Sequence, residues 1–238
     1  SGAGASYSLP ALNNLDGSTV LVSGGATASF PALTNFTNDA GGLNNQTRTW
    51  QASGTGSVLD LRNVQTITNG LSYYTQLDVN AMAGGVVDLR GLTQISDPSG
   101  GDTRGRAIDL TADGSGSTLH VSSLTAYTDV YAGATSSDPL YSTVTAKNGG
   151  VVQSPALTDM TGVNLVLDGT GTLSVAAIKN ATMGQFANDA LRSRSNTCTH
   201  LRKALGNGCR RCISACGSSG CVCVCARGHL RLHDLAPV

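Results

Sequence analysis

Apolar residues recur at every third position in a short segment that reappears along the chain. It reads Leu9-Pro-Ala-Leu12-Asn-Asn-Leu15, then Phe30-Pro-Ala-Leu33-Thr-Asn-Phe36, then Leu61-Arg-Asn-Val64-Gln-Thr-Ile67. Leu89-Arg-Gly-Leu92-Thr-Gln-Ile95 and Val121-Ser-Ser-Leu124-Thr-Ala-Tyr127 follow. Weaker copies start at Ser154 (with Leu157 and Met160) and Val175 (with Ile178 and Ala181). Successive starts are 21, 31, 28, 32, 33 and 21 residues apart. Most copies are preceded by a glycine turn (Gly24-Gly25, Gly54/Gly56, Gly84-Gly85, Gly114/Gly116, Gly149-Gly150) and by alternating runs such as Val20-Leu-Val22 and Val79-Asn-Ala81. Period-two alternation bounded by glycine predicts half-buried strands, with glycine supplying the positive φ of a sharp corner.

One minimal unit is therefore strand, glycine corner, strand and a three-spaced segment. No single unit can bury its apolar face, but stacked units can, and seven exceed the three or so a stable array needs. The expected fold is an all-β parallel β-helix, a β-solenoid of about seven coils over residues 1–183. Leu12, Leu33, Val64, Leu92, Leu124, Leu157 and Ile178 would stack as one core column. A right-handed winding is the expectation, from the preferred hand of β-crossovers. A leucine-rich-repeat horseshoe is the rival, but the Leu-x-x-Leu-x-Leu-x-x-Asn consensus is absent.

The four long coils take up their extra 7 to 12 residues after the three-spaced segment, at about 38–48, 68–76, 97–106 and 129–141. Insertions at one corner stack along one face of a solenoid, often the working face. Tyr73, Tyr74, Tyr131 and Tyr141 fall in these loops and Trp50 follows the first. On an exposed ridge such rings would suit sugar stacking; the blander reading is that they pin the loop bases to the coil.

Ser-Gly-Gly-Ala-Thr-Ala-Ser-Phe-Pro-Ala-Leu-Thr (23–34) and Ala-Gly-Gly-Val-Val-Asp-Leu-Arg-Gly-Leu-Thr (83–93) resemble the degenerate repeats of large bacterial secreted or surface proteins of adhesin-like β-helix type. The resemblance covers residues 1–183 and rests on repeat style. It implies a secreted or cell-surface location and a structural or adhesive role, with surface glycans or neighbouring repeats of the same chain as partners.

Composition agrees with a solenoid. Glutamate is absent, aromatics make up 4% and charged residues 13%, so the residues that favour exposed helices are scarce. A 40% apolar content in a regular pattern argues against disorder. No run of about 18 apolar residues could form a membrane-spanning helix. The chain starts inside a repeat, without a basic segment followed by an apolar one, so any upstream signal would lie before Ser1.

The search for chemistry leaves no catalytic, cofactor or metal residue assigned. Ser8, Ser29, Asp60, Asp88, His120, Gln153 and Ser174 precede the motif starts and form a polar column. Asp60, Asp88 and His120 suggest the clustered aspartates of polysaccharide-cleaving β-helices, and adjacent carboxylates could share a proton. The polygalacturonase segments Asn-Thr-Asp and Gly-His-Gly are missing, so a solvated face is the preferred reading. The runner-up function is thus a carbohydrate-active β-helix, either an enzyme or a binder. Asp113-Gly-Ser-Gly and Asp168-Gly-Thr-Gly only echo a calcium nonapeptide. The Thr-x-Thr pairs starting at Thr47, Thr66, Thr143 and Thr170 occur in different registers, which argues against a flat ice-binding array. There is no P-loop, dinucleotide fingerprint or Gly-x-Ser-x-Gly.

Residues 184–238 form a basic, Cys-rich tail. Residues 1–189 carry 14 Asp against 7 Lys and Arg; the remainder carries 8 basic residues and Asp234 alone. All seven cysteines lie after residue 197, including Cys209, Cys212, Cys216, Cys221, Cys223 and Cys225. One CxxC without a second is weak support for zinc, and seven cysteines leave one over in a disulfide set. A third reading is a gene read one nucleotide out of frame after about residue 184. Thr197-Cys-Thr-His200 can then decode as Pro-Ala-Leu-Thr, with an implied motif start at residue 196, 21 residues after Val175, and the tail would lack a packed core. On that reading its basic charge signifies no nucleic-acid partner.

Overall fold

The computed structural model describes residues 4–39, 41–130 and 140–182, and the backbone of 186–188, 212–217 and 220–225. The chain winds through three parallel sheets, with one strand on each face per coil except that the first coil adds none to face 2, and each strand pairs with its counterparts in the adjacent coils. Face 1 holds β1 (Ser6–Ser8), β3 (Thr27–Ser29), β6 (Val58–Asp60), β9 (Val86–Asp88), β12 (Thr118–His120), β15 (Val151–Gln153) and β18 (Thr172–Leu173). Face 2 holds β4 (Asn35–Asn38), β7 (Thr66–Asn69), β10 (Gln94–Asp97), β13 (Ala126–Asp129), β16 (Asp159–Thr161) and β19 (Asn180–Thr182). Face 3 holds β2 (Val20–Ser23), β5 (Gln46–Ser53), β8 (Thr75–Met82), β11 (Ala107–Asp113), β14 (Ser142–Lys147), β17 (Val163–Leu167) and β20 (Phe186–Asn188). The all-β parallel β-solenoid read from the repeat is the fold.

The three-residue spacing is a β-turn between faces 1 and 2. In all seven copies the fourth residue's N–H donates to the first residue's carbonyl: Leu33 to Phe30 at 3.1 Å, Val64 to Leu61 and Leu92 to Leu89 at 3.0 Å. Pro10, Pro31 and Pro155 occupy the second turn position, where a fixed φ suits the turn. In the second to sixth copies both ends of the turn are buried, whereas Leu9 and Val175, which start the first and last, are exposed. The column Leu33, Val64, Leu92 and Leu124 has no exposed surface, whereas Leu12, in the first coil, is only partly buried.

The turn from face 3 back to face 1 is a left-handed corner repeated in register: Gly24, Gly54, Ala83, Gly114 and Asn148 have φ of 69°, 90°, 50°, 98° and 53°. Gly85 and Gly150 just after it are required for a different reason. A Cβ at either would lie 2.3 Å from the carbonyl oxygen of Ala52 or Ala112 in the coil before. The backbone of β20 continues face 3 by parallel pairing with β17. In the tail, β21 (Cys212–Gly217) and β22 (Gly220–Cys225) form an antiparallel pair, with Cys212 opposite Cys225 and Cys216 opposite Cys221. The rest of the tail, and the cysteine chemistry expected there, lies outside the described residues.

Candidate functional site

All four insertions leave face 2 and re-enter at face 3, so they share one corner. The first three also bond to one another. Asn45 N–H donates to Tyr73 O (2.9 Å), Gln46 to Tyr74 O (3.1 Å), Tyr74 to Arg104 O (3.0 Å) and Asp102 to Leu71 O (2.9 Å). The ladder of the solenoid thus runs on through its loops and makes them a built ridge. Tyr73 and Tyr74 are half-buried with ring centroids 4.7 Å apart, and the Arg104 guanidinium sits 4.7 Å from the Tyr73 centroid. Gly105 (φ +64°) lies under Tyr74, whose ring would be 2.5 Å from a Cβ there. Leu43 and Leu71 point out, 59% and 51% exposed.

The aromatic residues divide. Trp50 is not on the ridge: it has no exposed surface, lies 4.3 Å from Phe36 and donates from Nε1 to Ser18 O at 3.2 Å. Its place at the inward phase of β5 decides this, between outward Thr49 and Gln51. Tyr141 is half-buried, and Tyr131 lies outside the described residues.

Beneath the ridge is a feature that sequence reading missed. Asn38, Asn69, Asp97 and Asp129 end β4, β7, β10 and β13, point inward, and are at most 1% exposed. Asn38 Nδ2 donates to Asn69 Oδ1 at 2.9 Å, and Asn69 Nδ2 to Asp97 Oδ2 at 3.0 Å. The same side chains close the loops. Asn69 Nδ2 also reaches Thr75 O (3.0 Å), and Asp129 Oδ2 accepts from the Ser142 N–H (3.0 Å). Arg106, equally buried, places Nη2 2.8 Å from Asp97 Oδ1, an ion pair without hydrogen-bond alignment. The signal was available: each of the four lies eight residues after its motif start, in the four long coils only. Short coils have Gly17 and Gly162 there, at φ 62° and 68°, and turn directly.

The column Ser8, Ser29, Asp60, Asp88, His120, Gln153 is in register, as expected. Its solvated character is corrected at Asp88, whose side chain is 5% exposed. Arg90, two residues on, grips both carboxyl oxygens at 2.6–3.0 Å, whereas Arg62 donates from Nε to one oxygen of Asp60, Oδ1, at 2.8 Å and reaches within 3.9 Å of Asp88. Burial works to raise the Asp88 carboxyl, but hydrogen bonds from the Arg90 guanidinium and N–H outweigh it and hold it below its ordinary value. A carboxylate so held is a poor proton donor. A shallow groove lies at the start of the column, lined by Ser8, Ser29, Phe30, Pro31, Asp60 and Arg62.

A second carboxylate pair, not singled out in the sequence, occupies the outer side of face 3. Asp78 and Asp109 are register partners, and Thr143 follows Asp109 in the next coil. Burial pushes Asp109 up to about 6 against a hydrogen bond with Thr143, and burial raises Asp78 as well. The four Thr-x-Thr pairs of the sequence do not line up, since Thr47 and Thr143 lie on face 3 and Thr66 on face 2. A different hydroxyl column does: Thr37, Thr68, Ser96, Thr128, Thr161 and Thr182 stand in register on the outside of face 2.

Among the described residues no three His, Cys, Asp or Glu side chains group to hold a metal, and no helix is long and apolar enough to cross a membrane. No family model, curated protein or solved structure matches the chain. Function therefore rests on the geometry alone.

Proposed function

We propose that the chain is an adhesive or structural rod segment of a secreted or surface repeat protein, with the insertion ridge as its contact face and surface glycans or neighbouring repeats as partners. The observation that supports this is the loop-to-loop hydrogen bonding of residues 45–46, 71–74 and 102–104. Loops that served only to connect strands would not need to extend the ladder. The style of the repeat, like that of adhesin-type surface proteins, points the same way.

The test is a shaved rod. Each insertion is replaced by the single-glycine link of the short coil, Thr161-Gly162-Val163, and both proteins are applied to a glycan array and to intact cell surfaces. Binding by the parent and not by the shaved rod supports adhesion. Equal, undetectable binding leaves the spacer role. Release of products from a polysaccharide by the parent overturns the proposal.

That last outcome is the second reading, a carbohydrate-acting β-helix. Asp78 and Asp109 favour it, because stacked carboxyls with raised affinity for protons suit acid catalysis at a sugar. Asp109→Asn would abolish product release if this reading holds.

A further inference from the structure

Among the described residues, the corner below the ridge buries more acid than base. Asp97 and Asp129 are register partners on β10 and β13, both without exposed surface. Parallel neighbours lie about 4.8 Å apart, so two carboxyls face each other out of water. The cation facing Asp97 is Arg106. Its charge is also solvated by the loops, with Nη1 donating to Gly70 O (3.0 Å) and Gly100 O (2.9 Å) and Nη2 to Pro98 O. Arg106 thus ties the second and third insertions together and does not depend on Asp97 alone. The other described titratable groups around the corner are acids: Asp109 from β11, with Asp78 beyond it on β8, and Tyr127 from β13, whose hydroxyl donates to Ile108 O.

The polarity of the ladder adds a second constraint. Asn38 donates to Asn69, and Asn69 donates to Asp97. An amide can accept and donate in turn, but a carboxylate can only accept. The ladder can pass from Asp97 to Asp129 only where a proton sits between them.

We propose that Asp97 is a proton-operated latch for the insertion ridge. With its proton it donates to Asp129 and the ladder is continuous from β4 to β13. When the O–H bond breaks and the proton leaves to solvent, two buried carboxylates face one another and the corner that carries the third insertion (98–106) loosens. The pH range is set by burial, which pushes the Asp97 carboxyl up to about 7 against the pull of Arg106 and the Asn69 hydrogen bond. The latch concerns how the ridge is held and stands whether or not the ridge binds a glycan.

The experiment is a pH titration of the full chain, following the Asp97 carboxyl carbon by NMR and the Tyr74 and Asp102 amides by hydrogen exchange. The carboxyl carbon should titrate near neutrality. Protection factors of the two amides, corrected for intrinsic exchange, should fall about tenfold from about pH 6 to about pH 8. Asp97→Asn mimics the protonated carboxyl and extends the amide ladder; it should fold and make ridge protection independent of pH. A wild-type Asp97 that titrates in the ordinary carboxylate range, with constant protection, overturns the latch. Constant wild-type protection alongside an unfolded Asp97→Asn overturns it too, since that marks a permanent ion pair with Arg106.

Discussion

The Nδ2 of Asn69 donates to Oδ2 of Asp97 across 3.0 Å, linking two coils through side chains where the strands of face 2 give way to loops. The same amide group reaches Thr75 O and closes its own insertion. One side chain therefore holds both the stacking and the loop. Asn69→Ala leaves several buried partners unsatisfied, and should destabilise the fold by about 2–4 kcal/mol in chemical denaturation. A loss within about 0.5 kcal/mol, typical of surface sites, would show that the ladder is incidental.

The core columns should respond as packed interior. Leu92→Ala removes a fully buried side chain between Val64 and Leu124 and should cost about 2–5 kcal/mol. Leu71→Ala, on the exposed ridge, should fall within about 0.5 kcal/mol. The pair of denaturation curves separates the inward from the outward leucines.

Gly85 is constrained by a neighbouring coil. A methyl group there meets the Ala52 carbonyl at 2.3 Å, and backbone cannot move aside as a side chain would. Gly85→Ala should therefore destabilise by about 1–3 kcal/mol, the usual range for overpacking. Thermal melting of the variant checks this, and an unchanged midpoint would contradict the coil-to-coil contact.

Stability should peak in mildly acidic solution. Asp97 and Asp109 are raised in the fold to about 7 and about 6, so their contribution is full below the ordinary carboxylate range and is lost as pH rises through those values. Asp168 is lowered: burial opposes the shift, but the N–H groups of Asn148, Thr170 and Gly171 and the Thr170 hydroxyl outweigh it. Asp88 is lowered as well. Their contribution is present above the ordinary range and lost as pH falls below it. Melting temperature against pH should pass through a maximum at about pH 4, where the lowered acids have reached their full contribution and the raised ones are only beginning to lose theirs. A midpoint still rising from pH 6 to pH 8 would contradict the buried-acid account.

Much of this fold was legible because a solenoid writes its geometry locally. The apolar residues at Leu61, Val64 and Ile67 mark a turn and the strand after it, and the same spacing in seven copies marks the stack. The insertion corner was legible from repeat length alone. What was hidden depends on phase and on neighbours in space. Trp50 looks like a ridge residue until its strand phase places it inside, and Asp88 looks solvated until Arg90 folds back over it. Asn38, Asn69, Asp97 and Asp129 lie outside the three-spaced motif, so the apolar pattern drew no attention to them. Asp78 and Asp109 become a pair only once β8 and β11 are set in register.

Pulsed EPR on bioorthogonal spin labels at Asn35, Asp159 and Asn180 tests the central claim, an in-register rod. These residues share one outward column of face 2, Asn35 four coils from Asp159 and five from Asn180. At about 4.8 Å per coil, the in-register stack gives narrow distributions near 19 Å and 24 Å, differing by one strand spacing. Broad distributions, or separations that do not increase with coil number, would contradict it.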